Sequence, residues 1–351
     1  MLFNGFQYKR NDFSGGMKMA YNKDFGVDLG SENTFICKKN KGIIVNEPSV
    51  IAVDSVSDRV IAIGREAKQM IGRVPSTIEV EYTIQDGVIS SFEKTGLLLS
   101  EFIKAHNVGF GKTRMILSIP CRSTAVERKA VEDVARTCGA KETYVIEEPL
   151  AAALGSGIDI FAPNGRMVVD MGAGTTEIAV LSLGSVVSYH YIPSAGKQLN
   201  TNIINYVRRV HNVLIGEPTA EALKIKLGTV EDNGENEFMM VSGRELSKGL
   251  PVNIEVTSEH IREAIYPGVQ SIIEGISYTL EHIDPELSAD IISNGILLTG
   301  GTSMMPGWAP LIENAIGVKA ELSTIPLECV AAGCANAFDV LEELKKHNAI
   351  I

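Results

Sequence analysis

Two short stretches carry the residue types that phosphate chemistry needs. Asp28-Leu29-Gly30-Ser31-Glu32-Asn33-Thr34 is the first, and Asp170-Met171-Gly172-Ala173-Gly174-Thr175-Thr176 is the second. Each follows apolar residues (Phe25 and Val27; Met167, Val168 and Val169) and precedes more (Phe35 and Ile36; Ile178, Ala179 and Val180). That pattern predicts strand, tight turn, strand. Glycines in such a turn let backbone N–H groups come close to phosphate oxygens, and hydroxyls add further donors. An aspartate ending each leading strand can hold a hydrated Mg²⁺. Two such hairpins facing each other would clamp one nucleoside triphosphate between two halves of a protein.

Several elements must position these turns. The strand Met115–Ile119 runs into Pro120. A helix follows, with capping-box spacing between Thr124 and Glu127. Val126, Ala130, Val131, Val134 and Cys138 keep a helical period up to Gly139. Tyr144-Val145-Ile146 predicts a strand leading into Glu147-Glu148-Pro149, the first turn of an Ala-rich helix. Glu47-Pro48 marks a turn. Leu199, Ile203, Ile204, Val207 and Val210 share one helix face, and residues 219–227 form another helix. Residues 258–283 read as a long helix kinked at Pro267. A strand at 295–299 feeds Gly300-Gly301-Thr302, and a last helix spans about 326–346. The hairpin duplication suggests two related α/β halves.

The totals narrow the function classes. The chain has 351 residues, enough for two domains, with 45% hydrophobic and 21% charged residues, as in soluble globular proteins. Asp and Glu (43) exceed Lys and Arg (32), for a net charge of −11. That balance argues against nonspecific nucleic-acid binding. Cys37, Cys121, Cys138, Cys329 and Cys334 lack CxxC spacing and read as reduced thiols of a cytoplasmic protein rather than a metal site. Neither a membrane-spanning run nor a secretory signal is expected. The first residues hold Phe3, Phe6 and Tyr8 beside Lys9 and Arg10. They read either as a flexible extension or as a weak anchor at a membrane surface.

The motif set resembles the actin, heat-shock chaperone and sugar kinase superfamily, and within it the MreB family of bacterial actins. The resemblance rests on residues 26–34, 45–50, 86–89, 146–153, 168–177, 219–221 and 298–301, and covers about 24–345. It implies an α/β actin-like ATPase fold, two related domains each split into two subdomains around a nucleotide cleft. The implied divisions are an extension at 1–23, domain I at 24–166 (small subdomain about 50–85), domain II at 167–325 (small subdomain about 200–255), and a C-terminal helix at 326–351 returning to domain I. It further implies ATP or ADP with Mg²⁺, and self-assembly into paired filaments at the inner face of the cell membrane. Paralogues of the same family are further implied partners.

Roles carry over residue by residue. Asp28 and Asp170 orient Mg²⁺ through water. Gly30, Ser31, Glu32 and Asn33 form the first phosphate turn; Gly172, Ala173, Gly174 and Thr175 form the second. Glu148 positions the attacking water, helped by Thr175, while Glu147 is the structural carboxylate of the pair. Glu221 and Lys224, one helical turn apart, hold the adenosine end unless they form only an exposed ion pair. Gly300 and Gly301 let backbone approach the nucleotide. Two positions depart from the family. Gly196-Lys197 replaces the usual Gly-Asp, reversing a charge near the phosphates and putting the hydrolysis rate in question. Thr302 replaces a third glycine. The loop 107–111, with Val108 and Phe110, is a short counterpart of a membrane-inserting loop, or a plain turn. Rival readings on the same fold are a small-molecule kinase, a chaperone ATPase and a filament that barely hydrolyses.

Overall fold

A computed structural model describes residues 23–106, 113–232, 234 and 236–350. The expectations for residues 1–22 and for the 107–111 loop fall outside them; Lys23 already begins the first strand.

Two five-stranded sheets share one topology. In the first, the order is β10 (Glu142–Glu147), β9 (Thr113–Ile119), β1 (Lys23–Leu29), β2 (Asn33–Lys38), β3 (Gly42–Pro48). β1, β2 and β3 form an antiparallel meander, and β9 and β10 add in parallel on the other side of β1. In the second, the order is β13 (Ser185–Ile192), β12 (Thr176–Ser182), β11 (Arg166–Met171), β17 (Ile296–Thr299), β18 (Ala320–Leu322), again an antiparallel meander with two parallel strands beyond it. β1 and β11 occupy the same place, so both Asp-apolar-Gly turns leave equivalent strand ends. The central strands β11 and β12 are buried almost throughout, as in sheets covered on both faces.

Smaller sheets flank these. β4 (Val50–Asp54) pairs with β5 (Val60–Ile63) and β6 (Ile78–Tyr82), next to the two-stranded β7 (Ile84–Gln85) and β8 (Val88–Ile89). In the second half, β15 (Phe238–Glu245) lies between β14 (Val213–Leu214) and β16 (Pro251–Thr257). The helices are α1 (Gly64–Met70), α2 (Phe92–Ala105), α3 (Ala125–Thr137), α4 (Glu148–Gly155), α5 (Gly196–His211), α6 (Glu217–Leu227), α7 (Ser258–Glu281), α8 (Pro285–Asn294), α9 (Trp308–Ile316), α10 (Cys329–Asn336) and α11 (Leu341–Lys346). α3 carries the expected capping box, Thr124 against Glu127, a device worth about 1 kcal/mol.

Two differences from the sequence reading stand out. Glu47 and Pro48 end strand β3 instead of forming a turn; Pro48 sits at the strand's last residue, where a missing N–H costs least. α7 is the expected single long helix with Pro267 inside it, its interior faces filled by Ile261, Ile265, Val269, Ile272 and Ile276. The single C-terminal helix is broken into α10 and α11. Asp339 lies in the break and pairs with Lys39, in the turn just after β2 (2.6 Å), and the β-branched Val340 takes a non-helical conformation.

One apolar cluster belongs to both halves. Ile116 and Ile146 of the first sheet, Val168, Ala179 and Leu181 of the second, and Leu150, Cys329 and Cys334 of α4 and α10 pack together. α4 and α10 touch backbone to backbone: a Cβ on Gly333 would lie 1.7 Å from the Ala151 carbonyl oxygen.

Candidate functional site

The two glycine turns meet. A Cβ on Gly174 of the second turn would sit 2.8 Å from Ser31 Oγ of the first. Ser31 Oγ in turn accepts from the Gly87 N–H (2.9 Å). Between and beside the turns lies a cavity of ≈ 470 Å³, within the ~300–1,000 Å³ typical of ligand sites. Asp28, Gly30, Ser31, Glu32 and Asn33 line it from one half. Asp170, Gly172, Ala173, Gly174, Thr175 and Gly196 line it from the other, together with Glu148 at the start of α4. Glu221, Lys224, Gly300, Gly301 and Thr302 complete it. Of the residues singled out in the sequence, Lys197 alone does not line it.

Local structure explains how each side chain is held. Ser118 donates to Asp28 (3.1 Å). Gly300, at φ +83°, brings its backbone so close to Asp170 that a Cβ would be 2.5 Å from Oδ1. Thr302 donates to the Gly172 carbonyl (2.7 Å), and its own carbonyl accepts from Trp308 Nε1 (3.0 Å), so its hydroxyl ties the third turn to the second. Glu147 pairs with Arg128 (3.2 Å) and does not line the cavity, which leaves Glu148 as the member of the pair that opens into it. Lys224 donates to the Gly196 carbonyl (2.7 Å), while Glu221 pairs with Lys68 of α1 (3.4 Å). The alternative of an exposed Glu221–Lys224 pair does not hold.

A carboxylate absent from the candidate residues joins this group. Glu177, 1% exposed, lies opposite Asp170 in the β11–β12 register. One of its oxygens accepts from the Cys121 N–H (3.2 Å), and the other has no hydrogen-bond partner. The signal was available: a lone charge in an otherwise apolar strand, paired across the hairpin with the aspartate. The corresponding position opposite Asp28 is Phe35.

Burial, then the charge of Asp170, pushes Asp28 up to about 7 despite the Ser118 hydroxyl. Burial takes Asp170 to about 6 against the Thr299 hydroxyl, and Glu177 to about 7. Glu148 lies well above the usual carboxylate range, through burial and then Glu177, Asp28 and Asp170. So much clustered acid with an orphaned oxygen fits a site built to receive a cation. Among the described residues no three acidic, His or Cys side chains converge closely enough to ligate a metal directly. The donor set therefore suits an ion that keeps its water shell, as Mg²⁺ does.

Residues 22–346 match the family model described as MreB/Mbl protein. The chain belongs to the MreB/Mbl family. It is an actin-like protein of the bacterial cytoskeleton. It is 42% identical over 326 residues to the cell shape-determining protein Mbl of Bacillus subtilis, covering 92% of this chain and 98% of that one. The crystal structure of MreB5 of Spiroplasma citri bound to ADP superposes with a TM-score of 0.88 at 30% identity, over 93% of this chain and 99% of that chain. Its AMPPNP complex gives 0.89 at 29% identity, over 94% and 99%. No helix among the described residues is long and apolar enough to cross a membrane.

Proposed function

We propose that this MreB/Mbl-family chain binds ATP with hydrated Mg²⁺ in the cleft, hydrolyses it, and assembles into filaments whose turnover follows hydrolysis. The observation that carries the reading is the direct meeting of Gly174 and Ser31 above one cavity into which Glu148 opens. Binding of ADP and AMPPNP by MreB5 supports the nucleotide assignment.

The residues divide the work. Backbone N–H groups of the two turns, with Ser31 and Thr175 hydroxyls, orient the phosphates. Asp28 and Asp170 hold the ion's water shell; the ion neutralises phosphate charge when bound. Glu148 accepts a hydrogen bond from the attacking water and so orients it toward the γ-phosphate. Glu221 and Lys224 hold the nucleoside end. The filament lies at the cytoplasmic face of the membrane, anchored through the apolar and basic residues of 1–16 and the Val108–Phe110 loop. Repetition along a filament multiplies weak anchors. Pairing of protofilaments, and assembly beside paralogues, belong to the same proposal.

Electron microscopy with Mg-ATP, Mg-ADP and no nucleotide, alongside a phosphate-release assay, tests it. Filaments and released phosphate are expected with Mg-ATP. Monomers in every state, with phosphate transferred to a sugar, would establish the kinase alternative instead.

A further inference from the structure

Lys197 stays out of the cavity that Gly196, its neighbour in the chain, lines. Its main-chain N–H donates to the Ala173 carbonyl of the second phosphate turn (2.8 Å). Its ammonium donates to the Ser31 carbonyl of the first turn (2.8 Å) and lies 3.6 Å from the centroid of the Tyr82 ring. One residue thus grips both turns. The network continues outward: the Tyr82 hydroxyl donates to Glu32 (3.2 Å), and Lys68 bridges Glu32 (2.5 Å) and Glu221 (3.4 Å). An aspartate at 197 has no proton to give the Ser31 carbonyl and would face Glu32 with like charge.

We infer that Lys197 is the tie that sets the spacing of the two phosphate turns across the cleft, a positioning residue and not a ligand of the phosphates. Four observations converge on this. The ammonium is engaged by a carbonyl and an aromatic face, both of the opposite half. The main chain at the same residue is fixed to the second turn. Ser31, whose carbonyl the ammonium holds, is also the residue that a Cβ on Gly174 of the second turn would meet at 2.8 Å. Burial, opposed by the charges of Glu32, Glu217 and Asp86, lowers the ammonium's pKa, as expected of a cation withdrawn from water. A charge-assisted bond plus a cation–π contact in a half-buried site is a strong junction. The inference deepens the nucleotide-site reading and rests on it for its kinetic consequences alone.

The test uses the full chain with Lys197→Met, Lys197→Arg and Tyr82→Leu. In protein without nucleotide, amide hydrogen exchange of residues 31–34 and 82–87 should quicken several-fold in Lys197→Met and, less, in Tyr82→Leu, and return toward the parent in Lys197→Arg. Dissociation constants of Mg-ATP and Mg-ADP should rise by the same factor in Lys197→Met, about tenfold for a lost charged hydrogen bond. KM for ATP should climb with it while kcat changes less. A loss confined to ATP would make Lys197 a γ-phosphate ligand and overturn the tie, as would unchanged exchange in both Lys197→Met and Tyr82→Leu. A parent protein that binds neither nucleotide would sink the nucleotide reading, yet leave the exchange experiment able to decide on the tie.

Discussion

Glu148, Asp28, Asp170 and Glu177 all titrate above the ordinary carboxylate range, so the fold holds protons that the unfolded chain releases. The folded state binds more protons than the unfolded state between about pH 4 and about 7, and stability therefore falls as pH rises through that window. Thermal unfolding of nucleotide-free protein should show a melting temperature that drops from about pH 5.5 to 8, while saturating Mg-ATP, expected to place a cation among these carboxylates, flattens the slope. A melting temperature that climbs over the same range would contradict the carboxylate cluster. Replacing the water-facing group isolates the chemistry: Glu148→Gln should bind Mg-ATP about as well as the parent and release phosphate about a hundredfold more slowly, within the range of general acid–base effects. Equal release rates would remove Glu148 from its role. At this scale the sequence was partly legible. Strand-end aspartates and a Pro-marked helix start pointed to Asp28, Asp170 and Glu148. Glu177 needed the hairpin register to bring it opposite Asp170, and the destination of the Lys197 ammonium depended on a tyrosine more than a hundred residues earlier in the chain.

Elements place those residues through backbone proximity that side-chain patterns do not encode. α4 carries Glu148, and α10 lies against it because Gly155 and Gly333 remove the atoms that would keep the helices apart. A helix interior is normally a poor place for glycine, at about 0.5–1 kcal/mol relative to alanine. Here that cost is offset by the approach it permits. Gly333→Ala should therefore destabilise by about 1–3 kcal/mol, as overpacking does. Gly96→Ala in α2 should behave oppositely, since the nearest atom to its Cβ is Thr137 Oγ1 at an ordinary 3.5 Å; a gain of about 0.5 kcal/mol is expected. Urea titrations of the two variants would read both signs, and a neutral Gly333→Ala would show that α4 and α10 can separate cheaply. Helical periodicity gave α3, α5 and α7 from residue order alone, because each buries a periodic apolar stripe, although Val126 at the start of α3 and Val210 near the end of α5 lie outside it, 79% and 49% exposed. It merged α10 with α11, since the break between them, where Asp339 pairs with Lys39 far away in the chain, carries no Gly or Pro to mark it.

At the scale of the whole molecule, the duplicated topology gives two sheets with equivalent strand ends, and the question is how firmly the halves are joined. The apolar cluster built from β9, β10, β11, β12, α4 and α10 welds them at the base, whereas polar ties at the cleft (Lys197 to Ser31, Lys68 to Glu221) join them at the top. Burying apolar surface from both halves in one cluster couples their unfolding more strongly than partly exposed ion pairs do. Calorimetry of the nucleotide-free chain should accordingly give one transition. Mg-ATP at a hundredfold excess over its dissociation constant should add about 2.7 kcal/mol and raise that transition by a few degrees without splitting it. Two resolved transitions that merge only with nucleotide would mean that the cleft, and not the base, unites the halves. The Lys197→Met variant sharpens the comparison: loosening the top alone should leave the single transition intact while lowering nucleotide affinity, because the weld at the base contains none of the residues that Lys197 touches.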